Sequence, residues 1–361
     1  MRILFCIDAM PKGGAERVVA NLSNYFASNK KNSVRILTLV NGECAYELEN
    51  SVNYMSLNFT FTSNHLTKIV CAYKNVKKYI KFLKTYRPDI VISFLPTASY
   101  YSSISCHFAG VKLIISERNN PSSIYDTKIK ELITKFLYSK ASGFVFQTKM
   151  ASHYFSKNIQ KKSTIIANPI NEKFFVEPYI GLRKKRIVTV GRLDVQKNQI
   201  LLIEAFNVVL KKHPDYQLYI YGEGPLRMDL EKKIKKLNIE DHVFLPGVSN
   251  NIISEIYDAT AFVLSSDYEG MPNALMEALA LGIPSISTDC PCGGPSELIK
   301  DGFDGILIPI RNQESLASAI EKIIGDPKLA GILSYNSSKK MKKYNIKEIN
   351  KKWDKYIRSI M

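Results

Sequence analysis

The stretch Phe262-Val-Leu-Ser-Ser-Asp-Tyr-Glu-Gly-Met-Pro-Asn-Ala-Leu-Met-Glu-Ala-Leu-Ala280 passes from an apolar run, through a polar loop holding a glycine, into a segment of helical period. Proline suits the first turn of a helix and little beyond it. The spacing therefore predicts a strand, a loop carrying Glu269, and a helix that opens near Pro272 with Glu277 inside it. The same unit recurs along the chain. A first series comprises strand-like Ile3–Ile7, an amphipathic segment Ala15–Ala27, and the runs Val34–Leu39, Ile90–Phe94, Val111–Ile115 and Phe144–Phe146. A second comprises Ile187–Val190, Gln217–Tyr221, Val243–Leu245, Phe262–Leu264, Pro284–Ser287 and Ile306–Ile308, with helical segments such as Asn198–Lys212 between them. Short apolar strands alternating with helices imply parallel sheets covered on both faces. The reading is α/β, two doubly wound domains in tandem, 1–170 and 171–345. The stretch 168–186, rich in proline and charge, is the linker candidate. The helical pattern over 346–361 is expected to pack back on the first domain. In such sheets ligands sit beyond the carboxyl ends of the strands, and between two domains the cleft is the expected site.

Length and composition agree. A chain of 361 residues exceeds the usual size of one core. Hydrophobic residues at 45% and charged residues at 23% exclude a disordered chain. No run approaches the ~18 apolar residues of a membrane span, and Met-Arg-Ile-Leu-Phe-Cys-Ile-Asp reads as a first strand rather than a signal peptide. The six scattered cysteines lack zinc-ligand spacing and read as free thiols in a reducing cytoplasm. The net charge of +17 is uneven, with 23 Lys/Arg against 9 Asp/Glu in residues 1–170 and 27 against 24 in residues 171–361. A basic first half points to a polyanionic partner. Its densest stretch, Tyr73–Arg87, has two open readings: a helix lying along anionic lipid headgroups, or a solvated helix face. No nucleic-acid-binding signature accompanies it.

A helix N-terminus attracts anions through its unpaired N–H groups and dipole. A diphosphate on the backbone of Gly270, Met271, Pro272, Asn273 and Ala274 leaves Glu269 and Glu277 to accept hydroxyls at either end, the layout of a sugar nucleotide. Spacing alone leaves open that one glutamate is merely solvated. Gly191-Arg-Leu-Asp-Val-Gln-Lys197 follows a strand and opens a helix, placing Arg192 and Lys197 where two cations neutralise a departing diphosphate. Gly13 and Gly14, after the first strand, permit close backbone approach, although the spacing is not that of a dinucleotide fingerprint. Gly222-Glu-Gly224 reads as a turn.

Together, the Glu269/Glu277 pair, the Gly191–Lys197 element and the Gly13-Gly-Ala-Glu16 loop resemble a retaining family-4 glycosyltransferase, and the resemblance spans essentially the whole chain. It implies the GT-B architecture, two Rossmann-like domains facing a central cleft, with an acceptor-side first domain and a donor-binding second domain. It further implies that Arg192 and Lys197 bind the donor diphosphate, that the backbone from Gly270 to Leu275 also contacts the phosphates, and that Glu277 binds the ribose and Glu269 faces the donor sugar. Gly14 approaches the phosphates from the first domain, and Gly247 flanks the base. The segments around Glu269 and Thr288–Pro295 most resemble bacterial enzymes of surface-polysaccharide synthesis on lipid-linked carriers.

The chain departs from the family after Val111–Ile115. Many relatives have a histidine there, and this sequence reads Ser116-Glu-Arg-Asn-Asn120, with Glu117 or Arg118 as the candidate to take over part of its role. No Asp-x-Asp motif occurs, so no metal and no cofactor are expected. The expected partners are a nucleoside-diphosphate sugar, with UDP favoured, a glycan or polyprenyl-diphosphate-linked acceptor, and an anionic membrane surface, with no nucleic acid. The expected location is cytoplasmic, peripheral on the inner face of the membrane. A sugar-nucleotide epimerase or phosphorylase shares the architecture, and a non-enzymatic basic binder is the rival from another class.

Overall fold

A computed structural model describes the backbone of all 361 residues and the side chains of all but His65 and Leu66. The chain folds into two compact units, residues 1–168 with 347–361, and residues 169–346. Unit 1 holds β1 (Arg2–Ile7), β2 (Ser33–Thr38), β3 (Val52–Ser56), β4 (Ile90–Phe94), β5 (Lys112–Ser116), β6 (Gly143–Phe146) and β7 (Ser163–Ile165). They form one sheet in the order β3-β2-β1-β4-β5-β6-β7, every pairing parallel. Its helices are α1 (Gly14–Ala27), α2 (His65–Tyr86), α3 (Pro96–Ala109), α4 (Pro121–Ile124), α5 (Lys128–Tyr138), α6 (Lys149–His153) and α7 (Lys157–Lys161). The central strands are buried throughout Ile3–Ile7 and Ile90–Phe94, which is why they read as continuous apolar runs.

Unit 2 repeats the plan with β8 (Lys184–Val190), β9 (Gln217–Tyr221), β10 (Val243–Gly247), β11 (Ala259–Leu264), β12 (Ser285–Thr288) and β13 (Ile306–Ile308), ordered β10-β9-β8-β11-β12-β13 and again parallel. Its helices are α8 (Gln199–Leu210), α9 (Arg227–Leu237), α10 (Ile252–Ile256), α11 (Asn273–Ala280), α12 (Gly294–Leu298), α13 (Gln313–Gly325) and α14 (Pro327–Met341). Leu202 and Phe206 of α8 meet Ile220, Val263, Leu316 and Ile320 in its core. The last helix, α15 (Ile346–Ile360), buries Ile349, Trp353 and Ile357 at four-residue spacing. Trp353 stacks 6.0 Å from Phe94, and the Tyr356 hydroxyl accepts from the Phe144 N–H at 2.9 Å. Helix α15 thus closes unit 1.

Three expectations need correction. Strands β3 and β7 were not foreseen, because both lie at sheet edges, are short and bury few of their side chains. Residues 184–186, assigned to the linker, begin β8. The exposed side chains of Lys184 and Lys185 there pair with Asp258 and Asp215 at the start of the strand. Helix α8 starts one residue late, because Asn198 takes a left-handed φ of 46° and caps it, accepting from the Leu201 N–H at 3.3 Å.

The strand order fixes where ligands belong. In each sheet successive strands run outward from one central strand and then resume on its other side, at β1/β4 in unit 1 and at β8/β11 in unit 2. At such a switch point the loops leaving adjacent strands diverge and open a crevice. In unit 2 the β8 loop is pressed from behind by the β9 turn. A Cβ on Gly222, whose φ is +136°, would lie 1.9 Å from the Gly191 carbonyl oxygen, and one on Gly224 would lie 2.3 Å from that of Leu193. The Gly-Glu-Gly turn is therefore a packing device that holds the Gly191–Lys197 loop in place. Gly222→Ala should destabilise the protein by about 2–4 kcal/mol in a denaturant titration, combining a left-handed φ with a backbone clash. Gly331→Ala, in α14 with nothing within 4 Å of the new Cβ, should be stabilising by about 0.5–1 kcal/mol.

Candidate functional site

Lys197 leaves the β8 loop, Glu269 leaves the β11 loop, and the two meet across the unit 2 switch point. Lys197 Nζ donates to Glu269 Oε1 at 2.6 Å, with only 20% and 7% of the two side chains exposed. The same oxygen accepts from Ser266 Oγ at 2.7 Å, and Oε2 accepts from Gln196 Nε2 at 3.4 Å. A carboxylate this buried requires a cation or several donors, and Glu269 has both. Its backbone is clamped too: its N–H donates to the Pro291 carbonyl at 2.6 Å, and its own carbonyl accepts from the Cys292 N–H at 2.8 Å. The loop after β12 therefore braces the loop after β11. The contact is tight enough that a Cβ on Gly294 would lie 1.9 Å from the Gly270 oxygen.

Helix α11 starts directly beyond this clamp. Pro272 occupies its cap position and supplies no side-chain cap. Of its eight residues only Asn273, Ala274 and Glu277 are not buried, so the helix shows one narrow strip running from its N-terminus to Glu277. Arg192 sits at the mouth of the β8 loop with a 72% exposed side chain, its Nε donating to Asp194 Oδ2 at 2.5 Å. Asp194 also accepts from the Lys197 backbone N–H at 3.2 Å, so one carboxylate anchors the Arg192 side chain and the Lys197 main chain. Gly247 ends β10 with a φ of +82°, and its carbonyl accepts from the Gly222 N–H at 2.8 Å. Arg192, Lys197, Glu269, Gly270 and Glu277 thus come from the two loops and the helix that flank one crevice.

Sequence reading missed the residues that hold these in place. Asp267 accepts from Asn198 Nδ2 at 2.9 Å and from Arg311 Nη2 at 2.7 Å, tying the loops after β8, β11 and β13 together. Thr288 Oγ1 donates to the Ser266 carbonyl at 2.6 Å. Arg311, some forty residues along the chain, has no local signal. Ser266 and Asp267 do, as polar residues immediately after a buried strand. The thiol of Cys290, next to the clamp, is pushed up to about 12, first by burial and then by the nearby Glu269 charge, and stays protonated.

Unit 1 treats its own switch point differently. Asp8, after β1, accepts from the Ala98 N–H at the start of α3 at 2.8 Å, and burial raises its carboxyl above the usual range. Gly13 caps α1, fixed by the Tyr46 hydroxyl, which donates to its carbonyl at 2.6 Å and accepts from its N–H at 2.7 Å. The Glu16 carboxylate lies where a Cβ on Gly13 would be, 2.1 Å from that point. The helix start expected to offer Gly14 to a phosphate already holds an anion of its own chain.

Glu117 also departs from its expected place near a sugar. It is 3% exposed, accepts from the Tyr125 hydroxyl at 2.6 Å and from the Arg118 N–H at 3.1 Å, and burial raises its carboxyl. Arg118 lies beside it between the Phe94 and Trp353 rings, 5.2 and 5.6 Å from their centroids, and donates to Ser116 Oγ and Asn168 Oδ1. This network joins the loop after β5 to α15 and faces the interior of unit 1.

Comparison with known proteins accords with this geometry. Residues 12–174 match the family described as Glycosyltransferase Family 4, and residues 170–347 match Glycosyl transferases group 1. The chain is 31% identical, over its full length and 99% of the relative, to a Campylobacter jejuni α-1,4-N-acetyl-D-galactosaminyltransferase whose named acceptor is a diphosphoundecaprenol-linked glycan. A second Campylobacter jejuni 4-α-N-acetylgalactosaminyltransferase, also named for a diphospho-undecaprenol acceptor, is 30% identical over 90% of both chains. Among solved structures, Anabaena HepE in complex with UDP superposes with a TM-score of 0.85 at 17% identity, covering 99% of this chain and 100% of that one. The two parallel sheets, their switch points and these relatives together establish that the chain is a glycosyltransferase of the GT-B fold and belongs to the family-4, group 1 glycosyltransferases.

Proposed function

We propose that the protein transfers a hexose or N-acetylhexosamine from a UDP-sugar to a lipid-linked glycan, retaining anomeric configuration and using no metal, at the inner face of a membrane. The observation that carries this reading is the Lys197–Glu269 bridge at the mouth of the β8/β11 crevice, beside a helix start with no side-chain cap. Diphosphate on the N-terminus of α11 meets the dipole there, and Lys197 and Arg192 supply the balancing cations. Lys197 then exchanges one anion for another. As its ammonium turns to the phosphate, Glu269 keeps Ser266 and Gln196 and turns a lone pair to the donor sugar's hydroxyls. Glu277, at the far end of the exposed strip, takes the ribose. Charge building on the departing diphosphate is offset by groups already in position, and the acceptor attacks from the same face while a donor phosphate oxygen takes its proton. Nothing in this scheme requires an enzyme nucleophile, and so the burial of Glu117 does not impede it. The lipid-linked acceptor is proposed from the names of the two Campylobacter relatives, and UDP from the HepE complex.

Lys197→Ala should slow turnover by roughly 10²–10³-fold, the scale of losing a transition-state donor. The same change leaves a buried carboxylate without its cation, so the ligand-free protein should unfold about 2–4 kcal/mol more easily. Steady-state kinetics and denaturation report the two effects separately, and unaltered turnover rejects the role. Glu277→Ala should weaken UDP binding by about 1.5–3 kcal/mol in calorimetry, and an unchanged affinity removes the ribose assignment. UDP release that depends on added acceptor distinguishes transfer from epimerisation.

A further inference from the structure

We infer that the outer layer of unit 1 formed by α2, α3 and α5 is a docking surface for an anionic lipid bilayer, with α5 as its apolar keel. The inference deepens the proposed function, since it rests on the reading that the acceptor is membrane-linked and names the surface that meets the membrane. The three helices form one layer. Each belongs to a connection that steps in the same direction along the sheet, which places right-handed crossovers on one face. In keeping with this, α2 packs on α3 and α3 on α5.

Helix α5 has its apolar stripe on the side that ordinary surface helices give to solvent. Ile129, Leu132, Ile133 and Phe136, at i, i+3, i+4 and i+7, are 71%, 67%, 48% and 66% exposed. The opposite side is already engaged. There Thr134 meets the Tyr100 hydroxyl at 2.5 Å, and Tyr138 is fully buried with its hydroxyl 2.9 Å from that of Tyr125. The helix is therefore held by its inner side while four large apolar groups face outward. The acids here are paired, Asp126 with Lys130 at 2.7 Å and Glu131 with Lys135. Lys140 Nζ lies 5.5 Å over the Phe136 ring, as a snorkelling lysine at a headgroup boundary does.

The charge that selects the occupant lies alongside. Between Glu49 and Asp89 the chain has seven Lys and Arg residues and no acid. Lys77, Lys81 and Lys84 line one side of α2 and, with Phe108 of α3, bound an open groove of about 670 Å³. Phe108 is itself 66% exposed. Cations beside exposed apolar side chains match an interface of anionic headgroups over acyl chains. The whole formal charge of +17 belongs to unit 1, with 28 Lys/Arg against 11 Asp/Glu, while unit 2 has 22 of each. A second copy would bring the same lysine-rich face against this one, which charge opposes.

The test is flotation of the full chain with vesicles containing phosphatidylglycerol and with vesicles of phosphatidylcholine alone. The wild type should partition to the anionic vesicles and lose partition as salt rises. The Ile129→Ser, Leu132→Ser, Phe136→Ser variant should lose at least about tenfold in partition, and the Lys77→Gln, Lys81→Gln, Lys84→Gln variant should lose the salt-sensitive part. Both should bind UDP as the wild type does, which shows that they are folded. Wild-type partition by the serine variant, or no preference for anionic vesicles, overturns the proposal. So does a wild-type dimer that the serine substitutions dissolve while no vesicle binding is seen. If UDP fails to bind the wild type while partition stands, the donor reading falls and the surface does not.

Discussion

A carboxylate removed from water keeps its charge only if the surroundings replace what water gave, and unit 2 is arranged around that requirement at Glu269. Its charge is met by Lys197 from the neighbouring strand's loop, by Ser266 three residues earlier and by Gln196. Its backbone is held by the loop after β12. Positions that look unrelated in the chain serve this one constraint. Gly222 and Gly224 let the β9 turn press on the β8 loop, Gly294 lets the β12 loop press on Gly270, and Asp267 links Asn198 to Arg311. On the proposed reading, an ion pair so held is also a store of preorganisation. Its cation is fixed before any diphosphate arrives, so little reorganisation accompanies charge development.

Much of this was legible in the sequence because burial on both faces of a parallel sheet leaves a plain signature. Ile90–Phe94, Gln217–Tyr221 and Ile306–Ile308 were read with their observed bounds, and the loop–helix boundary at Pro272 followed from proline's missing N–H. The edge strands β3 and β7 escaped because few of their side chains are buried, whereas β13, as short as β7 and also at an edge, buries Ile306 and Ile308 and so keeps the apolar signature. The supporting residues escaped for a different reason. Hydrogen bonds such as Arg311 to Asp267 span 44 positions and depend on how loops converge, which no local pattern encodes. Glu117 is the instructive miss. It was singled out because relatives carry a histidine in that loop, yet here the loop turns its side chain inward to Tyr125.

On the proposed reading, the partition of charge separates two tasks within one chain. A neutral unit 2 does not lack cations. Its 22 Lys and Arg are matched one for one by acids, many in defined pairs, so a few positions can be strongly positive without a general field. Unit 1 is the reverse, a broad positive field with few acids to focus it. A single small polyanion is best recognised by the first arrangement and an extended anionic surface by the second.

The two sheets share a topology, and their switch points differ in where the neighbouring carboxylate is held. In unit 1 the start of α3 is satisfied by Asp8 from the β1 loop, and the carboxylate of Glu16 turns back to the start of α1 beside Gly13. Burial raises both carboxyls, and the N–H groups they face act against that rise. An incoming phosphate at either place would meet a resident anion. In unit 2 the matching position before α11 is proline, which has neither an N–H nor a side-chain acceptor, and the carboxylate of Glu269, three residues earlier in the chain, is engaged by Lys197. The glycines at 13 and 14 and at 270 look alike in sequence, and what distinguishes them is where the neighbouring glutamate is held. On the proposed reading, anion binding at the start of α11 is thus decided less by the helix than by the fate of the neighbouring acid, which Lys197 holds.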